Sequence, residues 1–470
     1  MAITRRQFLK RSSAVSAAAL LGPGLFTNPF VRRAFADTIG DRYLVVLFLD
    51  GGNDGLNTVV PVDDGGGSLR TAYEVARLTG TGGLRLTPAD LAGTLIGTDP
   101  NTGAQLALHP GFATGFKPLY DLGKLAVIQG CGYPNYSLSH DESRAIWRAG
   151  DPGTNGGAPG WVGKHLAANY VGNEIPGVCI GDSVTGDFRQ GTTSVLSVGR
   201  VRDLGFPYDD ISSDDIAAKR AAFAALYDSA GAVAQSTIHY VGESGTSTLL
   251  ASESYPALDD LYVNDRPAFN DAYDTVNKST ARDLREIAKM IYGVKNGVPN
   301  VHARFFQLSN GGYDTHSDQG AADPAGQHFG LHKELGDSIK VFYDDLADMG
   351  VADKVCLVVW SEFSRRVPQN ESGTDHGSQG PMFVVGGGVT GGVYGNHPNI
   401  DDAALDDNGN TVYAQSAGGF RSTDFRDVYG TILKHWLNVP EPTILSSILP
   451  IDGGDPSTKW TTSNFDLGFL

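Results

Sequence analysis

Several stretches of this chain are apolar without alternation and then stop abruptly at glycine or at an acid. Val355 to Trp360 runs into Ser361-Glu362-Phe363, Ala303 to Ser309 into Gly311-Gly312-Tyr313-Asp314-Thr315-His316, and Arg42 to Leu49 into Asp50. Short runs with no polar face predict strands covered on both sides, as in a parallel sheet between layers of helix. Lys124 to Gln129 and Met382 to Val385 read the same way. Elsewhere the spacing lengthens: Leu106 to Leu122, Ser139 to Ala149, His328 to Met349 and Asp424 to Leu437 place apolar residues for helices. Gly65 to Thr102 is a Gly- and Thr-rich excursion, and Ser212 to Tyr292 reads as several helices broken at Gly and Pro. Strands alternating with helices predict an α/β fold: a largely parallel sheet sandwiched by helices, with a helical insertion at about residues 205–292.

The N-terminus changes the picture of where the chain works. Thr4-Arg5-Arg6-Gln7-Phe8-Leu9-Lys10 reads as a twin-arginine export signal, and the apolar stretch from Ala14 to Phe26 after it is too short to span a bilayer. Ala34-Phe35-Ala36 has the small-large-small form that a signal peptidase cuts after. Residues 1–36 are therefore expected to be a signal peptide and 37–470 the mature domain, delivered by the twin-arginine translocase to the periplasm or beyond. No other stretch predicts a stable membrane span. The formal net charge is −17, and cleavage removes six basic residues and no acid, so nucleic acid and anionic membrane are excluded as expected partners. Cys131, Cys179 and Cys356 are far apart in apolar contexts, which predicts buried thiols rather than a disulfide framework, a Cys131–Cys179 bridge being the one alternative.

Carboxylates and imidazoles at the ends of neighbouring strands are what a divalent metal site in an open α/β sheet requires. Asp314 and His316 follow a Gly-Gly pair that lets the chain turn sharply, and His376 follows Asp375. Glu362 is a further candidate, or else a buried partner of Arg365 or Arg366. Asp50 and Asp54 lie in a run of Gly, Asn and Asp that is a ligand loop or simply a turn. Ser139 is a nucleophile or only the N-cap of the helix it opens, and His140 beside it a capping or ligand residue. His109, His328 and His332 read as surface or structural.

Leu44-Val45-Val46-Leu47-Phe48-Leu49-Asp50-Gly51-Gly52-Asn53-Asp54-Gly55-Leu56-Asn57-Thr58-Val59-Val60-Pro61 resembles the opening signature of a large bacterial, twin-arginine-exported family, domain of unknown function 1501. Ser139-His140, Gly312-Tyr313-Asp314-Thr315-His316, Ser361-Glu362-Phe363-Ser364-Arg365 and Gly373-Thr374-Asp375-His376-Gly377 resemble its later motifs, in the family's order. That family is similar in layout to the alkaline phosphatase and sulfatase superfamily, which implies an exported metal-dependent hydrolase of small-molecule phosphate or sulfate esters. The resemblance puts Ser139 at the nucleophile and Asp50, with Asp54 as rival, at the first-strand acid. It implies one metal on Asp314, His316 and His376, and a second, oxygen-rich site on Asp50, Glu362 and Asp375. Zn suits the first, and Mg, Ca or Mn the second. Arg365, Arg144 or Asn57 would neutralise substrate oxygens. Phe363 stands where that superfamily has an imidazole, which leaves an alternative: an exported binding or scaffold protein that keeps the fold without turnover.

Overall fold

The computed structural model describes residues 41–154, 156–170, 175–190, 193–205, 213–231, 237–401, 411, 421–449, 460 and 465–470. The expected signal peptide and its cleavage point after Ala36 lie outside the described residues. The strands of the main sheet are β1 (Tyr43–Asp50), β2 (Leu125–Gly132), β3 (Gly177–Ile180), β4 (Val195–Val198), β5 (Phe305–Gly311), β6 (Val355–Ser361), β7 (Gly380–Val385), β8 (Gly392–Tyr394) and β9 (Thr423–Asp424). They lie in the order β8-β2-β7-β6-β1-β5-β3-β4, with β9 also on β2. β7 runs antiparallel to both β6 and β2, and every other pairing is parallel.

β1 shows why unbroken apolar runs make this sheet. Val45, Leu47 and Leu49 enter the core on one face, and Leu44, Val46 and Phe48 the core on the other. None of the six is more than 2 % exposed. The first core is closed by Tyr255 and Leu258 of the helix Thr237–Asp265, Leu284, Ile287 and Ile291 of Ser279–Lys295, and Ile339, Phe342 and Leu346 of Gln327–Asp348. The second is closed by Ile146 and Trp147 of His140–Ala149, Trp161 and Leu166 of Trp161–Asn169, and Val428 and Tyr429 of Phe425–Thr431. We number the eight helices used below in chain order: α1 (His140–Ala149), α2 (Trp161–Asn169), α3 (Ser213–Gly231), α4 (Thr237–Asp265), α5 (Pro267–Val276), α6 (Ser279–Lys295), α7 (Gln327–Asp348) and α8 (Phe425–Thr431).

Some expectations need correction. Leu106 to Leu122 is not one helix: Gln105–Leu108 is a strand of a separate three-stranded sheet, Pro110–Phe112 a 3₁₀ turn and Phe116–Asp121 a short helix. Pro110 lacks a backbone donor and fixes its φ, so it is favoured at the start of a helical turn and costly inside one. The Gly-rich excursion contains a helix, Leu69–Ala76. β3 and β4 are four residues each, too short to stand out by periodicity. The helices α3 to α6 occupy the expected insertion, but α4 runs through Pro256 instead of breaking there. α8 passes into a π turn at Ile432–Trp436. All three cysteines are buried and free, so no Cys131–Cys179 bridge forms. Among the described residues no helix is long and apolar enough to cross a membrane.

Candidate metal centre

β1, β5 and β6 end together, with Asp50 opposite Gly311 and Leu49 opposite Ser361. Because β7 is antiparallel, the segment that enters it, Thr374 to Gln379, reaches the same edge. Pairing of Ser364–Arg365 with His376–Gly377 fixes that segment against the loop after β6. α1 starts eight residues after β2 ends and brings His140 to the edge as well. The approach is close enough to require glycine after β1. At Gly51, with φ of 124°, a Cβ would lie 2.3 Å from the Asp314 amide nitrogen. At Gly52, with φ of 82°, it would lie 2.3 Å from the Phe363 ring.

Potential ligand atoms of His140, Asp314 and His376 lie within 4.8 Å of one another. Their hydrogen bonds set which nitrogen of each ring faces inward. His140 Nδ1 donates to Glu362 Oε1 at 2.8 Å, and His376 Nδ1 donates to the Leu138 carbonyl at 2.8 Å. His316 Nδ1 donates to Asp375 Oδ1 at 3.2 Å. Each acceptor is a carboxylate or carbonyl, so all three Nδ1 atoms carry a proton, and the Nε2 atoms are the ones turned toward Asp314. Those Nε2 atoms converge on Asp314, from His376 at 3.2 Å, from His316 at 3.1 Å and from His140 at 3.6 Å, and each contact is attractive only with a proton or a cation between the two atoms. The Nε2 atoms of His316 and His376 face each other at 3.0 Å, an arrangement that is repulsive until a cation or proton enters. Imidazoles held through Nδ1 by carboxylate or carbonyl, with Nε2 free, are what metal ligation needs. Burial would raise the Asp314 carboxyl, but the hydrogen bond and charge of Arg365, with His376 and His316, hold it below its usual value. Burial lowers His376, keeping its ring neutral and its lone pair available.

The other expected site residues fall into different roles. Ser139 is exposed, and as the N-cap of α1 it makes no side-chain capping bond, so capping does not consume its hydroxyl. Asp375 holds His316. Glu362 is buried, and its oxygens accept from the amides of Gly51 at 3.0 Å and Gly52 at 3.3 Å as well as from His140. Asp50 pairs with Arg144 at 3.0 Å. Among the described residues, therefore, Asp50, Glu362 and Asp375 do not assemble into a second, oxygen-rich ligand group.

Two further expected site residues are buried among other partners. Asp54 is buried in an ion pair with Arg77 at 2.7 Å and a hydrogen bond from Gln319 at 2.7 Å, because the chain turns inward after Gly52. Arg365 is buried, and each of its three nitrogens donates to the surrounding loops. Its Nε donates to Gly52 O at 2.7 Å and its Nη1 to Thr374 O at 2.9 Å. Its Nη2 bonds Gly51 O, Tyr313 O and Asp314 Oδ1. It therefore fastens three loops together. Asn57 is likewise committed, to Leu84 O and to the Tyr73 hydroxyl.

His140, expected as a capping or ligand residue beside Ser139, groups with Asp314 and His376; its position at a helix start just beyond a strand was the available signal. His109, His328 and His332 are buried rather than on the surface. They form a second cluster of three imidazoles, whose hydrogen bonds do not share one pattern. His109 Nδ1 accepts from the Gly111 amide, His328 Nε2 bonds Asn53 Oδ1, and both nitrogens of His332 are taken, by His328 O and Thr58 Oγ1. His109 and His332 stack face to face at 4.7 Å, so their in-plane lone pairs cannot meet on one ion. Burial pushes His109 down to about 4 and the other two well below their ordinary value, which makes this a neutral packing cluster.

None of the curated proteins matches this chain. Two solved structures are similar over most of its length. One is described as Ps i-CgsB in complex with k-i-k-neocarrahexaose, with 13% identity and a TM-score of 0.32, covering 85% of this chain and 72% of that one. The other is PsFucS1 sulfatase from Pseudoalteromonas sp., with 11% identity and a TM-score of 0.30, covering 88% and 73%. Likeness this loose carries no chemistry across. Residues 294–414, which hold Asp314, His316, Glu362, Arg365, Asp375 and His376, match the family described as protein of unknown function (DUF1501), the family that the sequence motifs resemble.

Proposed function

We propose that the protein is an exported, metal-dependent hydrolase of small-molecule phosphate or sulfate esters, working with one divalent ion. The observation that supports this reading best is the convergence of three imidazole Nε2 atoms on Asp314. His140, Asp314 and His376 would hold the ion, with His316 in reach of the same point. Two or three imidazoles and one carboxylate fit zinc better than magnesium or calcium. The ion would supply Lewis-acid stabilisation of negative charge on the transferred group. Glu362, Leu138 and Asp375 orient the three rings, and Arg365 fixes Asp314. Ser139 Oγ would form the new bond to phosphorus or sulfur as the bond to the leaving alcohol breaks, the serine proton passing to the departing oxygen, and water would then cleave the seryl ester to free Ser139 and inorganic phosphate or sulfate. The free amides at the start of α1 would face the oxyanion. Export through the twin-arginine translocase, with a signal peptide ending at Ala36, belongs to the same proposal.

A second reading, a binding or scaffold protein without turnover, is favoured by two observations. The Phe363 ring is buried 4.8 Å from that of His140 and 4.4 Å from that of His376, and it has no ligand atom to offer there. Asp141 and Glu142 already place negative charge in the first turn of α1. The test is a screen of the mature protein against aryl phosphate, phosphodiester and aryl sulfate esters with Zn, Mn, Mg and Ca in turn, repeated with Ser139→Ala. We expect turnover on at least one ester and a loss of roughly two orders of magnitude or more in the variant. Equal rates in both proteins would eliminate Ser139 as nucleophile, and no turnover with any metal would favour the second reading.

A further inference from the structure

A second concavity lies outside the metal centre. Beyond β4, Gly199 to Arg202 face α4, α5 and α6 across a cavity of about 380 Å³, a size in the range of small-molecule sites. It is on the same edge of the sheet as the metal centre. β4 pairs with β3, and β3 with β5, so it opens two strands, about 10 Å, from the strand that delivers Asp314.

Most acids in its wall are already compensated. Lys289, nearly buried, is bound by Asp259 and Glu286, and Glu286 also accepts from the Val201 amide at 2.8 Å. Asp274 holds Arg285 Nη1 at 2.7 Å. The cations are less well matched. Arg200 and Arg282 line the cavity and enter no ion pair with a described residue, while Arg285 Nε is buried with no hydrogen-bond partner among the described residues. Asp283 is the opposing acid; burial pushes its carboxyl up to about 6, so its charge is the weakest in the wall near neutral pH. On a chain of net charge −17, a concavity whose wall carries five cationic side chains to four acids, one of them with a raised carboxyl, marks a place for an anion. Two unpaired guanidinium groups and one buried N–H match a compact group with close to two negative charges and three acceptor oxygens, which is a phosphate.

We infer that this cleft between β4 and the helical insertion binds a phosphate-bearing small molecule through Arg200, Arg282 and Arg285. The inference is independent of hydrolysis at the metal centre. The experiment is calorimetric titration of the mature protein with inorganic phosphate, glucose 6-phosphate and malonate, for wild type, Arg200→Gln/Arg282→Gln and Asp283→Asn. Binding of a phosphate should weaken about tenfold or more in the double variant and tighten several-fold in Asp283→Asn. Tighter binding of glucose 6-phosphate than of inorganic phosphate would identify an organic phosphate as the occupant, and equal affinity the free ion. Arg200 and Arg282 are both exposed, so the double variant should fold, which thermal melting checks. Unchanged affinity in both variants, or malonate binding more tightly than either phosphate, would overturn the inference.

Discussion

Asp314 is where the most interactions of the candidate centre meet: Arg365, His140, His316 and His376 all approach its two oxygens. Asp314→Ala should therefore abolish metal binding while leaving the fold. In excess metal the wild type should lose melting temperature on chelation and the variant should not, since a ligand at 100 times its Kd stabilises by about 2.7 kcal/mol. A chelation shift of equal size in both proteins would remove Asp314 from the site. Titration offers a second check in the metal-free protein. The folded carboxyl of Asp314 and the folded rings of His376, His109, His328 and His332 all lie below their ordinary values. In each case the folded state takes up its proton later than the unfolded chain does. The stability is thus fully present above the unfolded values and is lost as pH falls, through the histidine reference of 6.5 first and the aspartate reference of 3.8 later. Urea unfolding at pH 7 and pH 5 should show the lower midpoint at pH 5, and an equal or higher one would contradict these environments.

The centre is positioned by connections rather than by strands, and the tightest of them is the turn after β1. Gly51→Ala places a methyl group 2.3 Å from the Asp314 amide in a backbone conformation that L residues avoid. It should destabilise the protein by about 1–3 kcal/mol and weaken metal binding through Asp314. Denaturant unfolding and metal titration of that variant are the measurements, with wild-type values in both contradicting the account. The same turn marks how far the sequence could be read. β1, β5 and β6 were legible because an unbroken apolar run has one economical explanation, burial on both faces. Asp314, His316 and His376 could be singled out as candidates because they follow such runs directly or stand beside glycine. Asp50 and Asp54 could not be told apart, because positive φ at Gly51 and Gly52 redirects the chain, and Asp54 ends against Arg77 and Gln319. Arg365 looked available because the carbonyls that absorb its donors come from Gly51, Gly52, Tyr313 and Thr374, which only the fold brings to it.

At the scale of the whole molecule, one sheet edge collects His140 from α1, Asp314 and His316 from beyond β5, Glu362 from beyond β6, and Asp375 and His376 from before β7. A single antiparallel strand makes this possible, since β7 begins where its neighbours end. The architecture thus concentrates hard and borderline ligands at one point while Asp54, Arg77 and Gln319 brace the loops from below. Gln319 accepts from Thr315 at 3.0 Å and Thr374 at 2.8 Å and so ties the two late ligand loops to Asp54. The central claim is that this point holds one divalent ion. The most direct measurement is elemental analysis of the mature protein purified without added metal, alongside Asp314→Ala prepared identically. The account predicts close to one equivalent of a transition metal or zinc per wild-type chain and none in the variant; a metal-free wild type, or equal metal content in both, would contradict it.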